Sequence, residues 1–126
     1  MKKVYIETSV GEIIDKLTIL EIKKKKISKK AHLSQINKEY NSLKKTLKQK
    51  VNINTKVKKL WKDLFKTNLT IWEMENFKRE AQKHLEKIAK VAISVYKNND
   101  DRAKIKLKIN KLTNSSIREV KKYSKY

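Results

Sequence analysis

The chain has 126 residues, of which 34 are lysine or arginine and 13 are acidic, giving a formal net charge of +21; 38% are apolar, one is glycine, and proline and cysteine are absent. This length supports a single domain burying roughly two-thirds of its unfolded surface, and the lack of cysteine excludes disulfides, thiolate metal sites and a cysteine nucleophile. All basic residues except Arg79, Arg102 and Arg118 are lysines spread along the whole chain, so the expected field is diffuse and attracts polyanions weakly and in a salt-sensitive way.

An AT-rich coding sequence accounts for lysine over arginine, but not for the scarcity of acids. With turn residues so rare, long helices are expected. No apolar run approaches the roughly 18 residues of a membrane span, and Glu7 interrupts the N-terminus before a signal-peptide core could form. A soluble, cytoplasmic protein is the expectation.

Residues 3–7 alternate around Val4, Tyr5 and Ile6 and suit a short strand, and residues 117–123 have a similar mixture. An antiparallel two-stranded ribbon joining the two ends is therefore expected beside the helices. Ser9 and Glu12 form a capping-box pattern that starts a first helix reaching Lys26. Val10, Ile13, Ile14, Leu17 and Leu20 make its main apolar face, while Ile19 and Ile22 make a second, so it is expected to be central. Gly11 in its first turn costs about 1 kcal/mol against alanine. Two explanations compete, a close approach by the C-terminal segment and an anion held on exposed N–H groups, and close approach is preferred.

Residues 27–32 read as a connector. Leu33, Ile36, Tyr40, Leu43 and Leu47 then fall on alternating steps of three and four, predicting a second, peripheral helix with one narrow stripe. Residues 51–54 read as a loop, with Thr55 as the cap of a third helix reaching about Glu80. Val57, Leu60, Trp61, Leu64, Phe65, Ile71, Trp72 and Phe77 give that helix the heaviest apolar content. Its tryptophans read as core anchors in preference to base-stacking platforms. Glu75 near this stripe is expected to take Arg102 or Lys106 as a partner.

From Gln82 to Leu112 the pattern allows one long helix or two. The run Asn98-Asn99-Asp100-Asp101 favours a break, whereas the constant phase of Tyr96, Asn99, Ala103, Lys106 and Asn110 favours continuity, which is preferred. Along it, an apolar line through Ile88, Ala92 and Val95 turns polar at Asn99, Arg102 and Lys106 before recovering at Ile109. Unpaired polar groups cost several kcal/mol to bury, on the order of 2–7 for neutral groups, so this interruption marks the candidate site.

Standard catalytic signatures are lacking. Neither His32 nor His84 has a carboxylate at i+4 or a second histidine at helical spacing, so no metal site is expected. One glycine cannot build a phosphate loop, and no cofactor motif is present.

The stretch SVGEIIDKLTILEIK at residues 9–23, with VYKNNDDRAKIKLKIN at residues 95–110 and the central Trp72-Glu73, resembles an uncharacterised family of short bacterial proteins. The resemblance covers nearly the whole chain and implies a shared fold but no reaction. It puts Gly11, Glu12, Asp15, Lys16, Thr18, Glu21, Tyr96, Asn99, Asp100, Arg102, Lys106 and Asn110 on motif positions. A shorter stretch, Ile14-Asp15-Lys16-Leu17, is similar to the first-helix core of the all-helical chorismate mutases, which bind a dicarboxylate within a bundle. That family's first-helix arginine has no counterpart here.

The expected architecture is an all-α antiparallel bundle of four long helices, the first and last central. Four functional readings compete. The preferred one is a binding module with a polar pocket between the first and last helices for a small anionic ligand. There Arg102 and Lys106 supply charge and Asn99 and Asn110 orientation, with Tyr96, Glu12, Asp15, Lys16 and Glu21 around them. The alternatives are a structural or partner-binding bundle with an internal ion-pair network, a non-specific nucleic-acid or other polyanion binder, and a chorismate-mutase-like enzyme. Homo-oligomerisation stays open.

Overall fold

A computed structural model describes residues 2–81 and 84–120. Four helices take up most of them: α1 (Val10–Lys26), α2 (Lys30–Lys50), α3 (Thr55–Glu80) and α4 (Leu85–Leu112). No strand occurs among the described residues, so the architecture is an all-α bundle without the expected ribbon. Residues 2–8 leave Val4, Tyr5 and Ile6 exposed, and residues 117–120 are exposed as well. A two-stranded pair with no third strand or apolar cover is marginal in water. The ends do meet, through Ser116 Oγ donating to Glu7 Oε1 at 2.8 Å. The remainder of the expected second strand, residues 121–123, lies outside the described residues.

α1 packs against α2, α3 and α4, and α3 also packs against α4. Only α1 is thus central; the last helix, expected to share that position, touches two neighbours. The reason is in the sequence of α1, where Ile14, Leu17, Leu20 and Ile22 are all buried and point to more than one side. Gly11 meets Lys106 and Asn110 while Asp15 meets Arg102, so α1 and α4 run antiparallel. Glu21 meets Trp61 and Lys25 lies over Phe65, so α1 and α3 run in the same direction. The backbones of α2 and α3 stay apart, and a groove opens between them with α1 as its floor.

The main core joins Ile14 and Leu17 of α1, Leu47 of α2, Val57 and Leu64 of α3 and Ile109 of α4. At 1.5 Å per residue α1 is about 26 Å long and α4 about 42 Å. The paired ends of α3 and α4 accordingly extend beyond α1, where Phe77, Leu85 and Ile93 are exposed. Trp61 and Trp72 are half-buried, and the Trp72 indole N–H is enclosed without a partner among the described residues.

Helix ends follow local chemistry. Ser9 caps α1 by accepting from the Glu12 N–H at 3.1 Å, but the Glu12 carboxylate reaches Lys106, so the capping box is only half made. Asn54 caps α3 by accepting from the Val57 N–H at 3.0 Å, one residue before the expected Thr55. α4 runs unbroken through residues 98–101, as the phase predicted. It ends in a Schellman turn, with Asn114 at φ 53° and the Ser115 N–H on the Asn110 carbonyl at 2.8 Å.

Candidate functional site

The Schellman turn carries the end of α4 onto the start of α1, and the resulting seam uses nearly every polar group it buries. Ser115 Oγ accepts from the Val10 N–H at 3.1 Å, and Asn110 Oδ1 accepts from the Gly11 N–H at 2.5 Å. With Ser9 on the Glu12 N–H, the first turn of α1 has no free donor left for an anion. A Cβ on residue 11 would lie 2.6 Å from the Lys106 carbonyl oxygen and 2.8 Å from Asn110 Oδ1. Gly11 is there for close approach.

One turn further on, Lys106 Nζ donates to both Glu12 oxygens at 2.9 and 3.0 Å and lies 3.4 Å from Glu119. Next, Arg102 makes a two-pronged pair with Asp15, Nε to Oδ1 at 2.8 Å and Nη2 to Oδ2 at 2.5 Å. Asn68 of α3 completes the row, its amide donating to Asp15 Oδ1 at 2.9 Å and to Thr18 Oγ1 at 2.8 Å. The Thr18 hydroxyl in turn donates to the Asp15 backbone carbonyl at 2.7 Å. A buried network satisfied in this way fixes how α1, α3 and α4 dock.

Burial pushes the Asp15 carboxyl up, but hydrogen bonds from Arg102 and Asn68 and the charges of Arg102 and Lys106 outweigh it, leaving the group below its ordinary range. The Asp15 hydrogen bond raises Arg102 despite burial, with attraction from Asp15, Glu12 and Glu119 adding to it. A depressed carboxyl pKa contributes stability that is present above the unfolded value near 3.8 and lost as pH falls through the folded value. Thermal melts between neutral pH and pH 2 are therefore expected to show a loss of stability below about pH 4 that is clearly shallower in Asp15→Asn.

The other expected site residues lie elsewhere. Asn99 and Tyr96 are exposed, and Lys16 faces α2, 3.0 Å from Glu39. Glu75 pairs with Lys78 at 3.5 Å and not with Arg102 or Lys106. Glu21 belongs to the groove between α2 and α3, where it accepts from Trp61 Nε1 at 2.9 Å and from the Tyr40 hydroxyl at 3.4 Å. Burial, then the charge and hydrogen bond of Glu21, push the Tyr40 hydroxyl above its usual range.

Around Glu21 stand Lys24 and Lys25 of α1, Lys44 and Lys48 of α2, and Lys58 and Lys62 of α3. None has a carboxylate partner among the described residues. The Lys24 ammonium lies 3.5 Å from the Tyr40 ring centroid, with Lys44 at 5.3 Å from the same ring and Lys25 4.9 Å from Phe65. These contacts hold three ammonium groups close to the groove. The groove has two lobes, of about 530 and 450 Å³, that share Glu21, Tyr40, Lys58 and Trp61.

Residues 2–126 match a family described as being of unknown function, DUF6165. The chain belongs to that family. No curated protein and no solved structure matches it. The DUF6165 match spans both the seam and the groove, so both are built within the family's own domain.

Within this DUF6165 fold, Glu12, Asp15, Arg102, Lys106 and Asn110 of the expected set lie together along the seam. Sequence reasoning missed Asn68, Ser115 and Thr18 as their partners, and it did not connect Trp61, Tyr40 and Glu21. The only signal for Asn68 was a polar residue beside an apolar stripe. Asp100 is buried too, though it was not counted among the site residues. Among the described residues no helix is long and apolar enough to cross a membrane, and no cluster of His, Asp or Glu could hold a metal ion.

Proposed function

We propose that the protein binds a polyanionic partner through the groove between α2 and α3, with the seam between α1 and α4 as the scaffold that holds it. The observation that carries this reading is the convergence of six lysines without carboxylate partners among the described residues on a groove whose one carboxylate, Glu21, is already engaged. Concave, like-charged walls focus the field and raise local anion concentration above that of a flat surface of equal charge.

The internal-network reading of the α1–α4 seam fits beside this one, because its cations are matched by carboxylates. A small-anion site at Arg102 and Lys106 has less support. Both cations hold carboxylates, Asn110 is used by Gly11, and Asn99 faces solvent. The turn similar to chorismate mutases turns Asp15 inward and Lys16 outward, so it offers no cation to a dicarboxylate.

Lys44→Glu with Lys58→Glu tests the reading against Lys87→Glu with Lys90→Glu, an equal change of charge on exposed positions of α4. The groove variant is expected to elute from heparin at clearly lower salt, with its salt slope reduced by about 1 or more, while the α4 variant stays near the parent. Equal shifts in both would leave only the diffuse field and overturn the proposal.

A further inference from the structure

The groove is more than a row of charges. Trp61 stands in the wall common to both lobes, and its indole N–H is anchored to Glu21 at 2.9 Å, which tethers the edge of the ring. Tyr40 and Phe65 carry lysine ammonium groups over their rings, whereas no ammonium lies over Trp61 among the described residues. Trp61, half-buried and packed in part against the core, is the one among the described groove-lining aromatic rings without an ammonium over it.

We infer that the occupant is single-stranded nucleic acid, with a base stacked on Trp61 and the flanking phosphates on the lysines at the rim. This rests on the groove being an anion site and adds the chemical class of the anion. Glu21 on the floor repels phosphate and leaves the deep part of the groove to the neutral bases, while the cations stand around it. Single-strand binders combine these same parts, a basic track and aromatic faces that accept any base. Each lobe is an open recess, and its volume is of the order of small-ligand sites, roughly 300–1,000 Å³. A duplex offers Trp61 no unstacked base, and an acidic protein segment brings carboxylates without a planar group to fill the wall.

The test compares short oligothymidylate with inorganic polyphosphate of matched charge, a duplex of equal length, and polyglutamate, using affinity and tryptophan fluorescence. Oligothymidylate is expected to bind tightest and to quench fluorescence. Trp61→Leu is expected to lose about tenfold in affinity for it, with polyphosphate binding within about twofold of the parent, which also shows that the variant is folded. Trp61→Phe, which keeps a stacking face, should retain most of the affinity.

If polyphosphate or polyglutamate binds as tightly as oligothymidylate, or if Trp61→Leu leaves oligothymidylate binding unchanged, the nucleic-acid inference is overturned while the anion groove stands. If Lys44→Glu with Lys58→Glu changes the affinity for none of these polyanions, the groove reading itself falls, and this inference with it.

Discussion

Replacing Arg102 with methionine is expected to lower the melting temperature by about 10–15 °C. Asp15 is 3% exposed, and its carboxylate takes two hydrogen bonds from this guanidinium. Breaking a buried pair from one side typically costs about 3–5 kcal/mol, because the remaining charge stays buried without its partner. Asn68 still serves Asp15, which points to the lower end of that range. For a domain of this size each kcal/mol moves the midpoint by about 3–5 °C. Adding Asp15→Leu should recover much of the loss, since replacing both partners with apolar groups is often neutral. An anion site made of mutually repelling cations gives the opposite sign for Arg102→Met, an unchanged or raised melting temperature.

Gly11→Ala carries the second large effect, and its sign runs against helix propensity. Propensity alone favours alanine by about 1 kcal/mol in a helix interior. Here the new methyl group would meet the Lys106 carbonyl oxygen, which belongs to the backbone of α4 and cannot rotate away. Overpacking of this kind costs about 1–3 kcal/mol, and the separation of α1 from α4 also stretches the Gly11–Asn110 and Lys106–Glu12 bonds. A net fall of several degrees in thermal midpoint is expected, whereas a rise would show that the contact between the two helices is loose.

Much of this was legible in the chain before its fold was known. Most helix extents followed from apolar spacing and from the rarity of turn residues, and Ser9 and the lysine-rich end of α1 marked its bounds, but α2 starts at Lys30, inside the expected connector of residues 27–32. Arg102 and Lys106 were marked by helical phase, and Glu12 and Asp15 joined them through the motif positions of the family resemblance. Asn99 was drawn in because steps of three and four were continued through Ala92. At 3.6 residues per turn, Asn98 and Val91 lie nearer the line through Arg102 and Ile109. The ribbon failed because alternation signals a strand's preference but not whether a partner sheet exists.

Other features are tertiary and leave little trace in sequence. Asn68 reaches Asp15 across 53 positions, and Trp61 reaches Glu21 across 40. No local period encodes such meetings. The lysines of the groove were hidden by abundance, since nothing local separates Lys44 or Lys58 from the many lysines that simply face water. Only the separation of α2 from α3 over α1 sets them apart.

The most direct test of the division between scaffold and groove is an amide and indole chemical-shift titration of the isotope-labelled protein with inorganic polyphosphate. The account predicts the largest shifts at the amides of Lys24, Tyr40, Lys44 and Lys58, with Gly11, Arg102, Lys106 and Asn110 nearly still. Shifts concentrated at Gly11, Arg102 and Lys106, with the amides of Lys24, Lys44 and Lys58 unmoved, would contradict it and return the binding role to the seam between the first and last helices.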